Sequence, residues 1–138
     1  MKSYTDLEQS KKLAKILPIE SADMTYCAIT EGMREKMTIK NWEVNVGLDI
    51  AIKKTLFSYI NGYMIPCWSL AALLDALPVS CDEGIHCLAL INSNPNGQVD
   101  WLCCYEDCNG NLMMECYGTN QVDACYEMIL KLNEQKLL

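Results

Sequence analysis

At 138 residues, 51% of them hydrophobic and 21% charged, the chain has the size and composition of one folded domain and lies far from the polar, highly charged regime of disorder. No apolar run approaches the roughly 18 residues that a membrane span needs, and charge is scattered through MKSYTDLEQSKKLAKIL, so neither a span nor a signal peptide is expected. The net charge of −7 is uneven: residues 1–60 hold nine Lys/Arg against eight Asp/Glu, while residues 61–138 hold two Lys against ten Asp/Glu, a balance that repels phosphate backbones and disfavours nucleic acid.

The first helix is expected over 5–17. Thr5 and Glu8 stand at capping-box spacing, Leu7, Leu13, Ala14, Ile16 and Leu17 follow, and Pro18 ends the run. Lys11, Lys12 and Lys15 form its solvated face. Residues 24–30 (MTYCAIT) and 38–46 (TIKNWEVNV) are rich in β-branched and aromatic side chains and read as strands. Asn61-Gly62, between two β-prone runs, predicts a type I′ hairpin over 55–65.

A short buried helix is predicted over 69–77, with Ser69 as its cap, Trp68 and Leu73 as a hydrophobic staple, and Pro78 as its stop. Strands at 85–92, 99–106 and 111–118, separated by Asn94-Pro95-Asn96-Gly97 and Asn109-Gly110, form an antiparallel meander. Asn120 then opens a helix that runs to the end of the chain, with Asp123 in its first turn and Val122, Cys125, Tyr126, Ile129 and Leu132 at helical spacing. Met128 and Leu130 fall off that stripe. Their cover must come from another element or from a second copy, which makes a homodimer one expected arrangement.

Together these elements predict a single α+β domain over 1–138: an antiparallel sheet of five or six strands with three helices packed on one face. The blocks EQSKKL (8–13), ESADM (20–24), PCWSLAALLDALP (66–78) and VDACYEMILKLNEQKLL (122–138) resemble a family of small uncharacterised proteins of Bacteroidetes gut bacteria and their phages and mobile elements. The resemblance implies a biological context and supplies no mechanism. Each block also has a structural account, as a capped helix start or an amphipathic helix.

Nine cysteines in a chain without an export signal read as reduced thiols of a cytosolic protein, packing as small hydrophobes. The densest run is Cys103-Cys104-Tyr105-Glu106-Asp107-Cys108-Asn109-Gly110. A zinc site would draw on Cys104, Cys108, Cys116 and Cys87, but the Cys104-x3-Cys108 spacing has no second matching pair, and Cys103 and Cys104 face opposite sides of a strand. No metal or cofactor is therefore expected.

His86, the one histidine, precedes Cys87 directly, so the two side chains diverge on a strand; a different cysteine would have to meet His86 across the sheet to form a catalytic pair. Cys67 stands just ahead of a helix N-terminus, where the dipole lowers a thiol pKa, yet it is flanked by Pro66 and Trp68 as a packed residue would be. Asp82/Glu83 and Glu106/Asp107 look like solvated turn acids. Tyr105, Tyr117 and Trp101 belong to an aromatic set of the kind enriched at protein interfaces and equally at home on a half-exposed sheet face.

Phosphate loops and the HExxH and GxSxG signatures are absent from the sequence. The expected function is that of a small acidic, non-enzymatic accessory or adaptor protein that binds another protein, or itself, through its acidic Tyr/Trp-bearing second half. The alternative is a metal-binding or Cys-dependent catalytic domain built on residues 81–116. An acidic decoy of nucleic acid is a third reading.

Overall fold

The computed structural model describes residues 1–32, 37–46, 63–93 and 100–138. They gather into two compact units, Asp6–Ser69 and Met1–Thr5 with Leu70–Leu138. Among the described residues three α-helices and two antiparallel sheets give an α+β fold, and the single sheet of five or six strands is replaced by one of three strands and one of four. The hairpin turn expected at 61–62 lies outside the described residues.

In the unit Asp6–Ser69, helix α1 (Leu7–Leu13) is shorter than the sequence suggests. Its capping box is shifted by one residue from Thr5/Glu8. The Asp6 carboxylate accepts from the Gln9 N–H at 2.9 Å, and the Gln9 side-chain oxygen accepts from the Asp6 N–H at 3.1 Å. Thr5 is instead fully buried, and residues 14–17 continue as turns rather than helix.

Strands β1 (Met24–Glu31), β2 (Thr38–Val46) and β3 (Met64–Cys67) pair in the order β2-β1-β3. Lys40 is the extra residue of a bulge in β2, opposite Ile29/Thr30. Alternation then places Tyr26, Ile65 and Cys67 on one face as a core, against which Leu7, Met24, Trp42 and Val44 pack. The fully buried Trp68 donates its indole N–H to Ser21 Oγ at 2.9 Å, and Ser69 donates both its N–H and its hydroxyl to the Asp23 carboxylate.

In the other unit, α2 (Leu70–Ala76) is followed by β4 (Ser80–Cys81), β5 (His86–Ser93), β6 (Asp100–Glu106) and β7 (Leu112–Gly118), hydrogen-bonded in that order, and by α3 (Gln121–Glu134). The meander lies within one residue of its expected bounds, with the two-residue β4 added at its edge. Asn120 caps α3 by accepting from the Asp123 N–H at 2.9 Å, and Asp123 in turn holds the Lys2 ammonium at 2.7 Å. The N-terminal residues are tied in further by Leu70 N–H donating to the Ser3 carbonyl at 3.1 Å.

Helix α3 lies on β6 and β7, and α2 packs against α3. Val122, Ala124, Cys125, Tyr126, Met128, Ile129 and Leu132 are all buried as a result. Met128 therefore has its cover within the chain, and the sequence-based case for a dimer through this helix loses its main residue. Leu130 is half-buried. Tyr105 on β6 is fully buried; its hydroxyl donates to the Pro78 carbonyl at 2.7 Å, and burial pushes the phenol above its ordinary pKa. On the outer strand β7 the Lys131 ammonium donates to the Glu115 carbonyl at 3.2 Å.

The seat of α3 is Gly118. A Cβ there would stand 2.9 Å from the Asp123 carbonyl carbon and closer still to the Ala124 nitrogen, both main-chain atoms that cannot rotate away. Gly118→Ala should cost about 1–3 kcal/mol as an overpacking change, although alanine suits a strand better than glycine does. Trp68→Ala should cost about 3–5 kcal/mol as a core truncation. Urea unfolding of both variants checks these values; a loss below about 0.5 kcal/mol in either would show that the site relaxes freely.

Candidate functional site

The four-stranded sheet offers two faces of different character. On the face toward α3, register brings Leu90, Cys103 and Cys116 into one cross-strand row and Leu88, Tyr105 and Met114 into the next. Cys103 is hydrogen-bonded to Cys125 of α3, and that bond together with burial pushes the Cys103 thiol far above its ordinary range. Cys103, Tyr105 and Met114 on this face are buried and Leu88, Leu90 and Cys116 half-buried, so its thiols serve as packing groups.

The opposite face carries three rows: Ile91-Leu102-Tyr117, Ala89-Cys104-Glu115 and Cys87-Glu106-Leu112. Ile91 is 40% exposed, Leu112 42% and Tyr117 52%, although all three lie on paired strands. Cys104 is fully buried between the two acids; burial first, then the charges of Glu106 and Glu115, raise its thiol. The Tyr117 phenol is raised chiefly by the charge of Glu115. The exposed apolar row Ile91-Leu102-Tyr117 is thus followed by Glu115 in the next row and by Glu106 in the third.

The zinc candidates do not converge. Cys87 and Cys104 lie on this outer face, Cys116 on the α3 face, and Cys108 is exposed in the β6–β7 turn. Among the described residues no group of three or more His, Cys, Asp or Glu side chains is placed to hold a metal ion. Cys67 is fully buried at the end of β3. Of the aromatic set, Tyr26, Tyr105, Tyr126 and Trp68 are core, and Tyr117 is the one on the outer rows.

One arrangement not expected from sequence sits at the end of the sheet. Cys81 of β4 is the direct cross-strand partner of His86 on β5, and His86 Nδ1 lies 3.3 Å from Asp82 Oδ2. The orientation there is not that of a hydrogen bond, and Nδ1 is buried without a partner. Asp82, Glu83 and Gly84 all have positive φ, a left-handed turn that lifts Asp82 beside the imidazole. A thiol, an imidazole and a carboxylate are thus neighbours. Burial first and the Asp82 charge second raise the Cys81 thiol, the opposite of the lowered pKa that marks an activated cysteine.

Comparison with family models, with curated proteins and with solved structures finds no match for the chain. The reading of the site therefore rests on its own geometry.

In the turn after β6, the Asp107 carboxylate accepts from the Asn111 N–H at 2.8 Å, the Asn111 side-chain amide at 3.1 Å and the Asn109 N–H at 2.9 Å, which holds its pKa below the usual aspartate range. A depressed folded pKa contributes stability above the unfolded value of about 3.9 that is lost as pH falls through the folded value. The difference in unfolding free energy between the wild type and Asp107→Asn should shrink from pH 7 to pH 3; a constant difference would contradict the assignment. For the thiols, iodoacetamide at neutral pH should modify Cys108 and Cys87 before Cys81, and His86→Gln should leave the Cys81 rate unchanged. Mass spectrometry of quenched time points reads the order, and a Cys81 that reacts first would restore the catalytic alternative.

Proposed function

We propose that the protein is a non-enzymatic accessory or adaptor protein that acts by binding another protein through the outer face of its four-stranded sheet. The observation that carries this is the row Ile91-Leu102-Tyr117, whose two outer members are 40% and 52% exposed on the sheet face that α3 does not cover. Tyr117 supplies the amphipathic aromatic that interfaces favour, and the surplus of acid in residues 61–138 biases the choice of partner. A cytosolic setting suits nine free cysteines, and an accessory role fits the resemblance to phage and mobile-element proteins.

The Cys-dependent alternative has one observation in its favour, the Cys81–His86–Asp82 neighbourhood, and the raised pKa of the thiol weighs against it. A photo-crosslinking residue placed at Ile91 or at Tyr117, in the cells that naturally make the protein, should yield one discrete adduct with another protein. The same residue at the exposed Glu127 of α3 should not. Identical adducts from all three positions, or none from the sheet positions, would overturn the reading.

A further inference from the structure

Resting on that protein-binding role, we infer that the outer sheet face receives a basic amphipathic helix of the partner, laid along β6 with its apolar stripe over Leu102, Ile91 and Tyr117 at its two flanks, and its Lys/Arg side chains on Glu115 at one margin and on Glu106 beyond the end of the stripe. The dimensions fit one helix. Neighbouring strands lie about 4.8 Å apart, so the row from β5 to β7 spans roughly 10 Å, the width of a single helix with its side chains. The three rows extend about 13 Å along the strands, or some two and a half helical turns.

The charge on the face has one sign. Its nine row positions include two carboxylates and no cation. Both carboxylates reach Cys104, raising its thiol beyond what burial does, so their charge is felt at the centre of the face. The nearby Lys131 is bonded to the Glu115 carbonyl rather than to either side chain. A neutral apolar helix would cover Ile91 and Tyr117 while stripping water from Glu106 and from Glu115, which accepts from the Tyr117 hydroxyl at 3.5 Å but meets no cation among the described residues of this face; Lys or Arg beside the stripe offsets that cost. The same sheet already uses a helix, α3, to cover its other face, and a second helix opposite would complete a three-layer arrangement.

The test uses the full chain, isotopically labelled, and three synthetic amphipathic peptides of about 18 residues with one leucine stripe and Lys, Gln or Glu on the polar face. The Lys peptide should shift the backbone amides of Ala89, Ile91, Leu102 and Tyr117. The doubly substituted Glu106→Gln/Glu115→Gln protein, its fold verified from its own spectrum, should bind that peptide roughly fivefold more weakly. The Gln and Glu peptides should bind the unaltered protein more weakly than the Lys peptide does. A Gln peptide that binds the same amides as tightly would sink the basic partner and leave the protein-binding role standing. A Lys peptide that shifts only residues around Glu127 and Glu134, with the outer rows silent, would remove the inference and the role of this face together.

Discussion

Helix α3 can lie flat on β6 and β7 because Gly118, the last residue of β7, leaves no side chain where the main chain of Asp123 and Ala124 passes. Much of the surrounding unit depends on that approach. It sets Cys125 against Cys103, delivers Asp123 to Lys2, and turns the other side of α3 toward α2, so that Met128 is buried along with the main stripe. The Asn120 cap fixes where the helix begins, one turn after the glycine, and thereby sets the rotation of every later residue. A side chain at position 118 would tilt this first turn and propagate along the helix.

The thiols show how burial and local charge divide one residue type into different chemical classes. Cys103, Cys104 and Cys125 are fully enclosed and serve as small hydrophobes, whereas Cys108 and Cys87 are open to solvent. Cys81 has the neighbours of a catalytic thiol and lacks the electropositive setting. A carboxylate close to a thiol disfavours the thiolate, and an imidazole without hydrogen-bond alignment to either neighbour does not reverse that. Proximity of residue types is thus a weaker criterion than the sign of the local field.

Local signals in the sequence were reliable where the competing choices were few. β2 occupies 38–46 as read from its β-branched and aromatic content, and Asn120 caps α3 as its spacing with Asp123 implied. α1 lies within its expected range of 5–17 but is capped one residue later, because Thr5/Glu8 and Asp6/Gln9 both satisfy the capping pattern and the second pair forms the box while Thr5 is buried. The division into two sheets was not legible, since pairing between distant strands leaves no mark on either one. The outer face was partly legible: β5 and β6 run through continuous apolar stretches, Cys87–Ile91 and Trp101–Tyr105, instead of alternating, which signals two apolar faces without saying which is covered. The Cys81–His86 pairing depends on a two-residue strand too short to leave any periodicity.

The bond from Lys131 to the Glu115 carbonyl also bears on how this sheet meets other protein chains. An outer strand with open main-chain acceptors invites another chain to add on as a further strand, the first step toward fibrils. Here one acceptor in the middle of β7 is already taken by the Lys131 ammonium. An incoming strand would have to displace that ammonium before its own N–H could dock there. That local obstacle to strand addition comes from a helix residue sixteen positions further along the chain.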